Sequence, residues 1–335
     1  MKYPFPFSAI VGQEEMKQAI ILTAIDPSIG GVLVFGDRGT GKSTAVRALA
    51  SLLPSIKVAN GCPYNCTELG TKCPYCMEKK PTELIEKKTP VIDLPLGATE
   101  DRVLGALDLE AALVEGKKSF EPGLLARANK GFLYIDEVNL LEDHIVDLLL
   151  DVAASGENLV EREGLSIRHE AKFVLVGSGN PEEGELRPQL LDRFGLSVEV
   201  SSPKDVNQRV EVVKRRDAFE TNYDEFISKW QLEDTKIREK ILTARKLITK
   251  IKTEDSIIQD CAKLCLALGA DGLRGELTLL RATRSLAAFN GDTDVTQAHL
   301  KEIAISALRH RLRRDPLDEA GSTVRVQNII SEVIG

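Results

Sequence analysis

Several features that mark other classes of protein are scarce in this sequence of 335 residues. Aromatic residues make up only 5% of it, and there is a single tryptophan. No apolar run approaches the roughly 18 residues that suggest a membrane-spanning helix, so we expect no membrane span. The amino terminus has one lysine and two early prolines, and no apolar stretch of a secretory signal follows. These absences predict a cytoplasmic protein.

Positive charge is also in short supply. Lysine and arginine number 44 against 51 aspartate and glutamate residues, which gives a formal net charge of −7. A chain that binds nucleic acid by bulk charge needs the opposite balance, so we expect no nucleic-acid partner. The composition is otherwise ordinary, with 43% hydrophobic and 28% charged residues. At about 150 residues per domain, the length predicts two domains.

Histidine and cysteine complete the list of scarce residues. The six cysteines are too few for a disulfide scaffold. The four histidines are scattered and include no H-E-x-x-H pair of a zinc hydrolase. We therefore expect them to be surface or packing residues; they are His144, His169, His299 and His310.

Strand-like and helix-like segments alternate over the first two thirds of the chain. Short apolar runs predict buried strands at residues 31–35, 132–135 and 173–176. Apolar residues at helical spacing predict helices at residues 14–24, 43–53 and 140–154. This alternation is typical of an α/β fold whose parallel sheet has helices on both faces. Helical patterns take over from about residue 203, so we place a first domain at 1–200 and a helical second domain at 201–335.

A glycine-rich loop follows the first predicted strand and opens a predicted helix. Residues 36–43 fit the phosphate-binding pattern G-x-x-x-x-G-K-S/T in full, in the structural context that the pattern requires. Glycines let successive backbone N–H groups converge on phosphate oxygens, and the helix amino terminus favours negative charge. Lys42 would reach the β- and γ-phosphates of ATP, and Ser43 would offer its hydroxyl to Mg²⁺. The predicted nucleotide-binding residues of this P-loop are Gly36, Asp37, Arg38, Gly39, Thr40, Gly41, Lys42, Ser43 and Thr44.

An acidic pair ends the predicted strand at 132–135. Asp136 lies at the edge of the sheet where α/β proteins bind ligands, and its carboxylate can hold Mg²⁺. Glu137 can polarise the attacking water as a general base. The alternative is a pair that caps a helix amino terminus, but beside a P-loop the catalytic interpretation is favoured.

Two further polar residues follow the third predicted strand. Asn180 can orient water near the γ-phosphate, although an asparagine before proline is also typical of a turn. Arg193 can stabilise transition-state charge in a neighbouring subunit. Its alternative role is a surface ion pair with Asp192.

These segments together resemble the AAA+ ATPases. The family's order is reproduced by Val11-Gly12-Gln13, the P-loop, Asp136-Glu137, Asn180, Asp192-Arg193 and Gly272–Leu277. Longer segments are similar to the magnesium chelatase ATPase subunits, the I subunits: PLGATEDR at 95–102, ELRPQLLDRFG at 185–195 and HRLRRDPLD at 310–318. The resemblance spans about residues 7–326 and implies an AAA+ core with a parallel sheet flanked by helices, β-hairpin insertions and an all-helical lid.

The resemblance also implies roles for single residues. Asn180 matches sensor 1, Arg193 matches the arginine finger that acts in trans, and Arg274 matches sensor 2. Val11 and Gly12 fall where the adenine pocket begins. Residues 97–123 match an insertion in the second core helix, and residues 158–169 match the hairpin before sensor 1.

A function in pigment biosynthesis follows from the same resemblance. The family forms ATP-dependent rings, typically hexamers, that work with a second ring subunit (D type) and a large porphyrin-binding subunit (H type) to insert Mg²⁺ into protoporphyrin IX. This chain would then supply ATP-driven conformational work in chlorophyll or bacteriochlorophyll synthesis. The alternatives are the ATPase of a cobalt chelatase for corrinoids, a MoxR-like chaperone for metal-cofactor assembly, and a DNA helicase. The helicase is disfavoured because the predicted hairpin region carries more acidic than basic residues.

Four of the six cysteines crowd into one loop at residues 60–78. Their spacing is C-x₃-C-x₆-C-x₂-C, from Cys62, Cys66, Cys73 and Cys76. Four thiols this close can form a closed structural Zn²⁺ site, although the six-residue spacer is shorter than in common zinc fingers. Thiols without metal and an iron–sulfur cluster are the alternatives.

A basic run stands near the carboxyl terminus, at residues 309–314. Such a run is usually a solvated helix end. Because it falls in the family's terminal segment, contact with a ring neighbour or partner is the alternative.

Overall fold

The computed structural model describes residues 4–37, 39–70, 73–108, 119–162, 165–184, 186–270, 272–312 and 322–335. Residue contacts divide the chain into two compact units: unit 1 holds residues 1–52 and 179–335, and unit 2 holds residues 53–178. This division reflects packing. The boundary at residue 200 separates predicted functional domains, and it stays a prediction.

Eleven strands are found in the described residues. Strands β1 to β11 span Gly31–Gly36, Ile56–Ala59, Leu84–Lys87, Val91–Leu94, Gly105–Asp108, Ser119–Pro122, Phe132–Ile135, Glu157–Arg162, Leu165–Glu170, Val174–Gly179 and Phe194–Val200. One sheet has five strands in the order β11-β1-β10-β7-β4, and the strand pairs β1–β11, β7–β10 and β4–β7 are parallel. Three antiparallel pairs form separately, between β2 and β3, β5 and β6, and β8 and β9.

Thirteen α-helices are found in the same residues. Helices α1 to α13 span Glu14–Ile25, Lys42–Leu52, Pro74–Lys79, Glu100–Leu104, Leu124–Ala128, Asp143–Ser155, Pro188–Leu191, Val206–Thr221, Tyr223–Leu247, Asp255–Leu268, Arg274–Asn290, Gln297–Leu308 and Ser322–Ile334. The α/β fold with a parallel sheet and a helical carboxyl-terminal region is thereby confirmed. No described helix is both long and apolar enough to cross a membrane.

Unit 1 contains both the amino-terminal helices and the carboxyl-terminal helical region. Its strand β1 is buried from Gly31 to Val34, as expected for a strand of a parallel sheet. Arginines of α9 fix the ends of the early helices: Arg245 donates to the carbonyl of Ala24, and Arg238 donates to that of Ser51. These contacts satisfy carbonyls that a helix end leaves without a partner.

Unit 2 contains the three antiparallel pairs. The predicted insertion at 97–123 is a β5–β6 pair between the short helices α4 and α5, and its residues 109–118 lie outside the described part. The hairpin predicted at 158–169 is the β8–β9 pair, with Val160 opposite Ile167. Residues 163 and 164, between the two strands, are also outside the described part.

Candidate nucleotide site and cysteine cluster

The P-loop lies between β1 and α2 in unit 1. Gly39 and Gly41 have φ values of +77° and +81°, a left-handed conformation that glycine adopts without strain. Lys42 Nζ donates hydrogen bonds to the carbonyls of Gly36 at 2.5 Å and Asp37 at 3.0 Å. The Lys42 ammonium group therefore contacts the carbonyls of the first two residues of the loop.

Gly36 is required for the way the loop leaves the sheet. A Cβ atom at this position would lie 1.9 Å from the carbonyl oxygen of Val200 in the neighbouring strand β11. Thr40 closes the loop, because its hydroxyl donates to the carbonyl of Asp37 at 2.9 Å. The side chains of Ser43 and Thr44 are half-buried in the first turn of α2, and Arg38 lies outside the described residues.

The segment before α1 is joined to the P-loop by Gln13. This residue has a left-handed conformation with φ of 57°, and its side-chain amide donates to the carbonyl of Thr40. Val11 and Gly12, which we expect at the adenine pocket, are half-buried directly before it. The contact made by Gln13 was missed in the sequence, because its partner lies 27 positions away.

Arg274 meets Asp192 in unit 1, as part of a small charged cluster. The Arg274 guanidinium forms an ion pair with the Asp192 carboxylate, and Arg311 binds the other carboxylate oxygen at 2.7 Å. Burial alone raises the pKa of Asp192, but hydrogen bonds and charge from the two arginines outweigh it, so the pKa lies below its ordinary value. Asp192 is thus a fixed anion that positions Arg274.

The contacts of Asn180 and Asp192 bear on two alternative roles, a turn residue for Asn180 and an ion pair with Asp192 for Arg193. In the described part of the chain Asp192 pairs with Arg274 and Arg311, so the ion pair suggested between Asp192 and Arg193 is not formed. Arg193 is half-buried just before β11. Asn180 is buried, and its side-chain oxygen accepts the Glu182 N–H at 3.2 Å, which caps a short 3₁₀ turn.

The acidic pair Asp136 and Glu137 ends strand β7 in unit 2. Asp136 Oδ1 accepts hydrogen bonds from the Ser178 hydroxyl at 2.5 Å and the Tyr134 hydroxyl at 2.9 Å. Glu137 has a left-handed backbone with φ of 54°, and its N–H donates to Ser178 Oγ at 3.3 Å. A residue held in this sparsely populated conformation is typical of a functional position. Tyr134 and Ser178, which orient the Asp136 carboxylate, were not singled out in the sequence.

The four clustered cysteines are brought together in unit 2. All are buried and reduced, and their sulfur atoms lie within 4.8 Å of one another. Neighbouring thiols donate hydrogen bonds to Cys62, which lowers its pKa. Burial, with the thiols of Cys73 and Cys62, raises the pKa of Cys76 to about 12. If the alternative of thiols without metal holds, those thiols are buried and do not lie on the surface.

The other cysteines and the histidines have structural positions. Cys261 and Cys265 are buried on α10, outside the cluster. His169 and His299 are buried and hydrogen-bonded, and His310 donates to the Phe194 carbonyl at 2.9 Å. His169, His299 and His310 therefore have the contacts expected of packing residues.

The basic run near the carboxyl terminus is not a solvated helix end where it is described. Arg309 is buried and forms ion pairs with Glu15 and Glu199. Arg311 donates to Phe194 as well as to Asp192. The prediction of a solvated end is wrong here because each arginine finds partners distant in the sequence. Arg313 and Arg314 lie outside the described residues.

Known proteins show which family this chain is similar to. Residues 107–189 match the family described as magnesium chelatase, subunit ChlI, and residues 258–333 match the AAA lid domain. The magnesium-chelatase 38 kDa subunit of Cereibacter sphaeroides is 69% identical over 100% of both chains. That of Rhodobacter capsulatus is 64% identical over 98% of this chain and 94% of its own.

A solved structure agrees with the sequence comparisons. It describes the complex between subunits BchI and BchD of magnesium chelatase, from single-particle cryo-EM. The matching chain is 60% identical, with a TM-score of 0.56, over 97% of this chain and 100% of that one. The chain therefore belongs to the family of magnesium chelatase I subunits, which are AAA+ ATPases.

Proposed function

We propose that this chain is the ATP-hydrolysing ring subunit of magnesium chelatase, which drives Mg²⁺ insertion into protoporphyrin IX by a large partner subunit. The observation that carries the proposal is the full-length identity of 69% to a magnesium-chelatase 38 kDa subunit. The P-loop, with Lys42 hydrogen-bonded to its carbonyls, supports the proposal, because an ATP-hydrolysing motor needs a triphosphate site.

The P-loop fits the phosphates of ATP. Glycines at 39 and 41 have the left-handed conformation that lets backbone N–H groups of such a loop converge on phosphate oxygens. Lys42 supplies positive charge to the β- and γ-phosphates, and the Ser43 hydroxyl is a Mg²⁺ ligand. Val11 and Gly12 contribute to adenine binding, with Gln13 holding their segment on the loop.

Asp136 and Glu137 have separate roles in hydrolysis. The Asp136 carboxylate is a hard oxygen donor suited to Mg²⁺, and its hydrogen bonds from Ser178 and Tyr134 fix its orientation. Glu137 is the general base that activates the attacking water. Water attacks the γ-phosphorus of ATP, the bond from this phosphorus to the β–γ bridging oxygen breaks, and ADP and phosphate leave.

Three polar residues complete the proposed machinery. Asn180 orients the attacking water as sensor 1, and Arg193 acts in trans on a neighbouring subunit as the arginine finger. Arg274, held by Asp192, acts as sensor 2. Arg274 begins α11 of the carboxyl-terminal region, so residues 201–335 would serve as linker and lid and residues 1–200 as the nucleotide-binding core.

The proposed assembly is a homo-oligomeric ring, a hexamer, in the cytoplasm. A D-type subunit is the expected ring partner, because the related BchI is described in complex with BchD. A large H-type subunit would carry the porphyrin chemistry, and bacteriochlorophyll synthesis is the expected pathway. No nucleic acid is required. Besides ATP and Mg²⁺, the proposed cofactors include Zn²⁺ at the cysteine cluster.

Reconstitution with the H-type and D-type subunits tests this function. Protoporphyrin IX is offered with Mg²⁺ or Co²⁺, and with ATP or a non-hydrolysable analogue, and metal insertion is followed by absorbance. We expect Mg²⁺-protoporphyrin only when ATP can be hydrolysed. Insertion of Co²⁺ in place of Mg²⁺ would favour the cobalt chelatase, and no dependence on this chain would refute a motor role.

A further inference from the structure

Proposed ATP hydrolysis makes no use of the four clustered cysteines. Cys62 Sγ lies 3.7 Å from Cys73 Sγ and 3.6 Å from Cys76 Sγ, and all four sulfur atoms are within 4.8 Å of one another. The cluster forms a small buried core with Tyr64, Ala59 and Ala126. Four sulfur ligands therefore converge on one point inside unit 2.

The spacing of the sulfur atoms suits a single tetrahedral metal ion. A tetrahedral site with Zn–S bonds of about 2.3 Å has S···S edges of about 3.8 Å, close to the distances of 3.7 and 3.6 Å from Cys62 Sγ to Cys73 Sγ and Cys76 Sγ. A disulfide requires sulfur atoms about 2.05 Å apart, which this arrangement does not contain. An iron–sulfur cluster places several irons and sulfides between its cysteines and needs a wider opening.

A backbone amide supports one of the sulfur ligands. The Cys76 N–H donates to Cys73 Sγ at 3.2 Å. Hydrogen bonds of this kind orient metal ligands and stabilise their charged form. The loop thus has an ordered ligand set and an outer shell.

We propose that Cys62, Cys66, Cys73 and Cys76 bind one Zn²⁺ in a closed tetrahedral site, and that this centre braces the β8–β9 hairpin of unit 2. All four ligands come from protein, so the site is structural rather than catalytic.

The first connection from the cysteines to the hairpin runs through Tyr64. This residue lies between the first two cysteines, is 2% exposed, and packs its ring on His169 of β9 with 4.8 Å between ring centroids. His169 lies 3.0 Å from the Asn158 amide of β8, and Asn158 donates to the Leu104 carbonyl where α4 meets β5. The base of the hairpin and the start of the β5–β6 pair are thus linked to the cysteine loop.

A second connection is made by two asparagines. The Asn65 amide donates to the carbonyls of Arg127 and Asn129 at 2.9 and 3.2 Å. Asn129 donates back to the Tyr64 carbonyl at 2.7 Å and accepts the Lys172 N–H, two residues after the hairpin. Because Asn65 and Tyr64 lie between two metal ligands, loss of the metal would release both connections.

Metal content is the first test. Protein purified anaerobically is expected to contain about one Zn²⁺ per chain, and Co²⁺ exchanged into the site should give the visible absorption bands of tetrahedral thiolate coordination. Cys73→Ser should lose the metal on dialysis against a chelator. The matched control is Cys261→Ala, a buried cysteine of α10 outside the cluster, which should keep it. Because Cys73→Ser can fail to fold, the Co²⁺ spectrum of the wild-type chain is an independent readout.

Hydrogen exchange tests the brace. Removing the metal from the wild-type chain should speed exchange in β8 and β9 by about tenfold or more, while α11 changes less than about twofold. Tyr64→Ala keeps all four thiols, so it should retain the metal and still speed exchange in the hairpin.

Two results would overturn the proposal. The first is iron in place of zinc, or zinc below about a tenth of an equivalent with no Co²⁺ uptake. The second is unchanged exchange in β8 and β9 after metal removal. Neither readout depends on ATP turnover, so failure here is distinguishable from failure of the proposed motor function.

Discussion

The P-loop at residues 36–44 and the cysteine loop at residues 60–78 are short segments that would bind their ligands in different ways. The first would use mainly its backbone, and the second would use its side chains. The P-loop would bind its ligand mainly with backbone N–H groups, so the residues that define it are glycines at 39 and 41 and one lysine. The cysteine loop would bind with side chains alone, and its backbone supports them. The P-loop is half-buried at Lys42, whereas all four cysteines of the cysteine loop are buried.

This difference explains what each sequence pattern could predict. A backbone site imposes a strict local spacing, so residues 36–43 were sufficient to identify it. A side-chain site needs ligands that converge in space, and the spacing of four cysteines left metal, free thiols and an iron–sulfur cluster all open. The distances of 3.6 and 3.7 Å between sulfur atoms show a convergence that the sequence spacing could not, and this convergence supports the proposed Zn²⁺ site.

If the Lys42 ammonium group supplies the positive charge that the backbone N–H groups of the P-loop lack, Lys42→Ala should have the largest effect on activity. Loss of the charge that stabilises the phosphates should reduce ATP hydrolysis to the background of the assay. The measurement is steady-state phosphate release, with the exposed Lys57→Ala as the control. Hydrolysis within about twofold of wild type would remove Lys42 from the site.

Arg193→Ala separates binding from hydrolysis. Nucleotide affinity should be nearly unchanged, and turnover should fall by about 10³-fold, because an arginine finger acts on the transition state. Titrating wild-type chain into the variant and measuring phosphate release should recover part of the activity. Arg216→Ala, an exposed arginine on α8, is the matched control. A mixture with no recovered activity would contradict a role in trans.

The cysteine loop should respond in stability rather than in nucleotide binding. Asn129→Ala removes hydrogen bonds to Tyr64 and Lys172 and leaves buried groups without partners. We expect the free energy of unfolding, measured with urea, to fall by about 2–3 kcal/mol. Asn60→Ala, an exposed asparagine in the same loop, should cost less than about 0.5 kcal/mol. Equal costs for the two variants would show that the hydrogen bonds of Asn129 to Tyr64 and Lys172 contribute little to the free energy of unfolding.

A smaller effect is expected from His310 in unit 1. Burial lowers the pKa of its imidazole to about 3, with help from the charge of Arg311. The folded state therefore binds fewer protons than the unfolded state, so stability is full above the ordinary histidine pKa and falls as the pH decreases below it. The loss should be at most about 2 kcal/mol between pH 8 and pH 5. His310→Gln should reduce this slope in urea titrations, whereas the exposed His144→Gln should not.

Much of the α/β core was predictable, and its limits have physical causes. The helix expected at 43–53 is found at 42–52, and the strand at 132–135 has the predicted bounds. Strand β3 was missed because all four of its residues are exposed, so it has no alternating pattern. The partners of Arg309 were missed because Glu15 lies 294 positions away.

The same reasoning applies to the candidate site. Asp136 and Glu137 were predicted from their place after a strand, a local feature. The hydrogen bond from Ser178 to Asp136 joins residues 42 positions apart and could not be read from spacing. The pairing of Asp192 with Arg274 rather than with Arg193 is decided by tertiary contacts.

The central claim is that Glu137 activates the water that attacks ATP bound at the P-loop. Its most direct test is Glu137→Gln, which keeps the shape of the side chain and removes the basic carboxylate. We predict that ATP binds with nearly wild-type affinity while single-turnover hydrolysis falls by at least about 10²-fold. Hydrolysis at the wild-type rate would contradict the claim.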